Sequence, residues 1–131
     1  MTTNPPPELA DYLYITAAVT ERTIAEKGDL LIAYCRGLAL ALRAIHAEPD
    51  AFREWSRGFL GGMEPALFEA SFANNLGIYM RDPVPTPAQF ALNMAFLKEE
   101  LRLVNQPSPP ESFGFEDAWE LRFVRQAMQG I

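Results

Sequence analysis

The chain has 131 residues and a mass of 14.7 kDa, the length of one domain, with 49% hydrophobic and 21% charged residues, a globular balance. Lys and Arg number 11 and Asp and Glu 17, giving a net charge of -6 and an isoelectric point near 4.7, which argues against the basic face that nucleic-acid binding needs and does nothing for attachment to an anionic membrane surface. One cysteine excludes an intrachain disulfide, and one histidine excludes a multi-histidine metal site.

The opening Met1-Thr2-Thr3-Asn4-Pro5-Pro6-Pro7 has neither a basic n-region nor an apolar h-region and does not read as a secretory signal. Prolines 5–7 fit neither a helix interior nor a central strand, so residues 1–11 read as an extended arm before a single helical domain at 12–131. The aromatic and β-branched run Tyr12-Leu13-Tyr14-Ile15-Thr16, continuing to Val19-Thr20, reads as a short strand. A helix starting near Glu8 is the competing reading, because Leu9, Tyr12, Leu13 and Ile15 partly fit a helical period.

Over 29–47 the pattern is helical and strongly apolar. Leu30, Tyr34, Leu38 and Leu42 recur at every fourth position, joined by Leu31, Cys35 and Ile45, while Arg36 and Arg43 share the one polar stripe. So narrow a wet face predicts the central helix of the domain, with Asp29 as N-cap and Pro49 as the stop. The longest apolar stretch, Leu30 to Cys35 and again Leu38 to Leu42, is broken by Arg36 and falls short of the ~18 residues of a membrane span. Asp50 then caps a short helix with Phe52, Trp55 and Phe59 on its inner side, ended by Gly61-Gly62. Pro65 opens the next, with Leu67, Phe68, Phe72 and Leu76 inward.

Thr86-Pro87-Ala88-Gln89 has the form of an N-cap, an N1 proline and a capping-box glutamine. Behind it, Phe90, Met94, Leu97, Leu101 and Val104 form an apolar seam. Pro107, Pro109 and Pro110 make a stiff linker to a last helix at about 115–129, where Leu121, Val124 and Met128 align, flanked by Trp119 and Phe123. The expected fold is mainly α, with about five helices in a compact bundle, about 60% helix, and at most one short strand near the N-terminus.

The residues able to do chemistry are few. Cys35, on the apolar helix, reads as an inert buried thiol. His46 falls in a last helical turn, where the dipole favours a cation. Glu116 and Glu120, four apart with Asp117 alongside, could share a proton or a hard cation, but acids in a first turn are stabilising in themselves. Arg53 and Arg57 flank Trp55 and could hold a small anion or a planar ligand; the plainer reading is two solvated arginines. There is no GxGxxG, P-loop, GxSxG, HExxH or EF-hand pattern. The expectation is a non-enzymatic chain with no catalytic residue, metal or cofactor.

Several phrases together resemble a known family. They are the run Tyr12-Leu13-Tyr14-Ile15-Thr16, Ile24-Ala25-Glu26-Lys27, Asp29-Leu30-Leu31, Tyr34, Arg36-Gly37, and the turn His46-Ala47-Glu48-Pro49-Asp50. Downstream come Thr86-Pro87-Ala88-Gln89-Phe90 and Leu97-Lys98-Glu99-Glu100, followed by a proline-rich turn. Together, over 12–125, they resemble the C-terminal half of ABC-type solute-binding proteins of the nitrate, sulfonate and taurine class, with the thiamine-pyrimidine-precursor binding relatives. The resemblance implies a periplasmic-binding-protein-like fragment whose N-terminal lobe is absent, not competent to bind a solute alone. It assigns no ligand-binding residue.

The functional expectation is a binding or interaction protein of that kind; the alternative is a cytoplasmic helical interaction or regulatory module unrelated to transport. The strand without a partner and the apolar seam at Phe90-Met94-Leu97-Leu101 predict a homodimer, or pairing with a separate N-terminal-lobe protein. Nucleic acid and a membrane span are not expected, and the location reads as cytoplasmic, or periplasmic if a leader or preceding lobe has been removed.

Overall fold

The computed structural model describes residues 11–13 and 15–131. The arm expected at 1–11 lies outside the described residues, apart from Asp11. Among the described residues the chain forms α1 (Glu21–Glu26), α2 (Gly28–Ala47), α3 (Pro49–Phe59), α4 (Pro65–Leu76), α5 (Pro87–Leu103), α6 (Phe115–Ala118) and α7 (Arg122–Met128). Of the described residues 64% are helical and none lies in a strand, so the mainly α reading holds.

The strand expected at 12–16 does not form among its described residues, and neither does the competing helix. A lone strand has no ladder partner for its backbone groups. Side-chain packing holds part of the segment instead: Leu13 is buried, and the Tyr12 ring meets Phe96 of α5 edge-on at 5.3 Å. Ile15 is left 91% exposed.

The helix boundaries follow local capping chemistry. Thr20 accepts from the Thr23 amide at 3.2 Å and starts α1, a helix the β-branched composition of this stretch obscures. Asp29 lies inside the first turn of α2 rather than at its N-cap, which is Lys27. Asp50 likewise sits inside α3, because Pro49 takes the first position, where a missing N–H costs nothing. Glu64 caps α4, accepting from the amides of Ala66 and Leu67 at 3.1 and 2.9 Å, and these bonds lower its pKa. The capping box of α5 forms as expected: Thr86 Oγ1 accepts from the Gln89 amide at 3.2 Å, and Gln89 Oε1 from the Thr86 amide at 2.9 Å.

The helix expected at 115–129 is two. Trp119 is extended (φ -127, ψ 120) and Glu120 Oε1 accepts the Arg122 amide at 3.2 Å, so a side chain closes a turn between α6 and α7.

The best-packed contact joins α2 and α7. Leu31, Ala39 and Leu42 of α2 are buried, as are Phe123, Val124 and Ala127 of α7 and Leu121 just before it. Ala39 and Ala127 are 1% and 0% exposed, one small residue on each helix, which lets the backbones approach. A Cβ on Gly28 would stand 3.4 Å from the Phe123 ring, a second sign of that closeness. Arg36 reaches across to the end of α7, donating from Nε to the Ala127 carbonyl at 3.4 Å and from Nη2 to the Gln129 carbonyl at 3.3 Å. Smaller clusters surround this core. Phe52 of α3 meets Phe72 of α4 at 5.7 Å, beside the buried Phe68, and Phe90 of α5 meets Phe113 and Phe115 at 6.3 and 6.0 Å.

Two predicted faces are turned. On α2, Leu42 is buried, but Leu30, Tyr34 and Leu38 are exposed; the inward row runs through Leu31, half-buried Cys35, Ala39 and Leu42. On α3, Phe52 is half-buried and Ser56 buried, whereas Trp55 and Phe59 are 64% and 77% exposed. Leu67 of α4 and Val104 after α5 also face outward, and α5 has no fully buried residue.

Candidate functional site

The arginine pair of α3 comes together on an acid that the sequence reading did not single out. Arg53 grips Glu69 of α4 through Nε and Nη2, both at 2.8 Å, and Arg57 Nη2 donates to the same carboxylate. The hydrogen bond from Arg53 holds the Glu69 carboxyl below its ordinary pKa and raises that of Arg53. Arg57 also lies over the Phe68 ring at 5.2 Å. The place a bound anion would take is filled by the chain's own carboxylate. Trp55 stacks on Phe59 at 5.6 Å, away from this pair's bonds. Only the single acid of α4, at its fifth position, could have signalled this arrangement.

His46 ends α2 as expected, and its Nε2 donates to the Tyr79 carbonyl at 2.9 Å, tying α2 to the loop after α4. An open cleft of about 500 Å³ lies beside it, lined by Ile45, Pro49, Ala73, Leu76, Gly77, Tyr79 and Arg81. That lining offers no serine, cysteine or carboxylate for His46 to activate. Burial raises the pKa of the half-buried Cys35 thiol, which favours the unreactive form. Glu116 and Glu120 fall on either side of the break at Trp119 and share no helical face. Among the described residues, no group of three or more His, Cys, Asp and Glu side chains is placed to hold a metal ion.

What remains as a candidate site is a surface. Successive helical residues are turned by about 100°, so burial of Leu31, Ala39 and Leu42 directs Ala33, Gly37, Leu40 and Ala44 straight outward, with Leu30, Tyr34 and Ala41 beside them. All seven are exposed and none is charged. Leu30 and Tyr34, 59% and 55% exposed, form a ridge along one side of a shallow strip of Ala33, Gly37 and Ala41, and Leu40, 49% exposed, stands on the other side. A Cβ added to Gly37 would meet nothing within 4 Å, so the strip is open along its middle.

By length and composition Gly28–Ala47 is also apolar enough to cross a membrane, with a hydropathy of 1.4. Within this chain, however, its inner side is packed on α7 and Arg36 is bonded to the end of that helix. The outer side of the same helix stays exposed and uncharged. No family model, curated protein or solved structure matches the chain.

Proposed function

We propose that this protein is a non-enzymatic helical interaction module whose working surface is the outer face of α2. One observation carries the reading: a face of seven uncharged, exposed residues on the helix that also supplies the best-packed core contact. Exposed apolar patches of this extent on a protein surface mark sites of association. Cover on this face would complete the compact bundle that the sequence periodicity leads one to expect. The resemblance to the C-terminal half of solute-binding proteins rests on the phrases quoted above, and the α2 face needs no solute cleft to act.

Paired Leu30→Glu and Tyr34→Glu substitutions test the reading, because both side chains are exposed and neither supports the core. Tagged wild-type chain, mixed with a differently tagged second copy in cell extract, retains a protein that the substituted chain loses. Equal recovery by both, whether of a second copy or of anything else, removes the α2 face as a working surface.

A further inference from the structure

The occupant of that face can be argued from surface area and register. The chain exposes 9642 Å², whereas a compact monomer of 14.7 kDa exposes about 6,900 Å². The ten terminal residues outside the description account for at most about 1,600 Å² even at the exposure of an unfolded chain, so more than roughly 1,000 Å² of excess belongs to the rest. A standard protein interface covers about 800 Å² on each partner. The excess is of the size of one interface; exposed Leu30, Tyr34 and Leu40 of α2 contribute to it, as do Ile15, Trp55, Phe59 and Leu67 elsewhere.

The strip is also self-complementary. When two copies of α2 are set antiparallel about a two-fold axis through Gly37, Tyr34 of one copy faces Leu40 of the other, and Ala33 faces Ala41. Gly37 meets itself, Tyr34 and Leu40 share a level next to it, Ala33 and Ala41 follow, Leu30 comes opposite the small Ala44, and no charge lies within this face. Antiparallel helices also oppose their dipoles favourably.

From this we infer that the outer face of α2 is a two-fold interface with a second copy of this chain, the two helices crossing at Gly37; the inference rests on the interaction reading above. An unrelated partner would not require the strip to match its own reverse. A lipid surface would not require it either, and the net charge of -6 works against anionic lipid.

Gly37→Glu is the decisive variant. Its side chain enters open space in the single chain, and glutamate is a better helix former than glycine, so the monomer keeps its fold. On the two-fold axis it places two carboxylates face to face. Size-exclusion chromatography with light scattering, from about 1 to about 100 µM, is expected to show wild type at twice 14.7 kDa and Gly37→Glu at 14.7 kDa, with undiminished helical circular dichroism. Raising salt from about 0.05 to about 0.5 M is expected to tighten the wild-type dimer several-fold by screening two acidic copies. The inference is overturned by a wild-type monomer throughout this range, by a Gly37→Glu dimer, or by a dimer that salt dissociates. It is also overturned by a dimer lost in Trp55→Ser on α3 but kept in Gly37→Glu, or by monomeric wild type taken up by phosphatidylcholine vesicles. If the tagged chain still retains a different protein through Leu30 and Tyr34, the interaction reading survives and only the second copy is excluded as its occupant.

Discussion

Glu69 shows how one residue changes the meaning of others. Two arginines a turn apart beside a tryptophan form an anion site only while no internal anion reaches them, and in the fold Glu69 takes both. Folding lowers the pKa of Glu69, chiefly through the Arg53 hydrogen bond, so the folded state holds this carboxylate's charge more strongly than the unfolded chain does. That stabilisation is fully present above the unfolded value near ~4.3 and is lost as the pH falls through the lower, folded value. Glu69→Gln is therefore expected to unfold at a lower temperature than wild type at pH 7. The gap should close at acid pH, where wild type has lost the same charge. Glu64 and Glu99 are lowered in the same direction, by backbone amides and by Arg102, so the variant keeps part of its acid sensitivity. Thermal melts of both chains across the acid range check this, and a gap that persists undiminished at low pH refutes it. Neither Glu69 nor the Tyr79 carbonyl on His46 was legible in the sequence, because each partner lies on another element at a distance no spacing rule spans.

Among the elements, punctuation was legible and orientation was not. Prolines at 49, 65 and 87 start helices because each removes only an N–H that a first turn leaves unbonded. The Thr86–Gln89 box is local for the same reason: donor and acceptor lie three residues apart. Thr86→Ala removes the side-chain half of that box and is expected to cost about 1 kcal/mol. Urea unfolding measures it, and a loss near zero means that the first turn of α5 is held by tertiary contacts instead. Helix faces are settled by neighbours rather than by periodicity. Because α2 has apolar residues almost all round, its pattern fits several rotations, and the small pair Ala39 and Ala127 with the Arg36 bonds to α7 selects the one observed. On α3 the Arg53–Glu69 fork and the Phe52–Phe72 contact turn Trp55 and Phe59 outward. The break at Trp119 depends on one carboxylate reaching an amide two residues on, a contact with no distinctive spacing.

At the scale of the whole molecule, the area left exposed sets how the chain responds to denaturant. An unfolded chain of this mass exposes about 21,300 Å², so a fold that leaves 9642 Å² accessible buries about 55% of it, where a compact chain of the same length buries about two-thirds. The slope of unfolding free energy against urea scales with the area newly exposed. For the single chain that slope is therefore expected to be about four-fifths of the value for a compact protein of equal length. Covering an apolar face adds area that must be uncovered again on unfolding, and mass action makes stability depend on concentration. The slope and the urea midpoint should then both rise between submicromolar and high micromolar protein in wild type, and stay at their low values in Gly37→Glu. Equilibrium unfolding by circular dichroism at the two concentrations measures both quantities. A full compact-protein slope in the most dilute wild-type sample would mean that the single chain already covers this surface itself, leaving α2 no open face to offer.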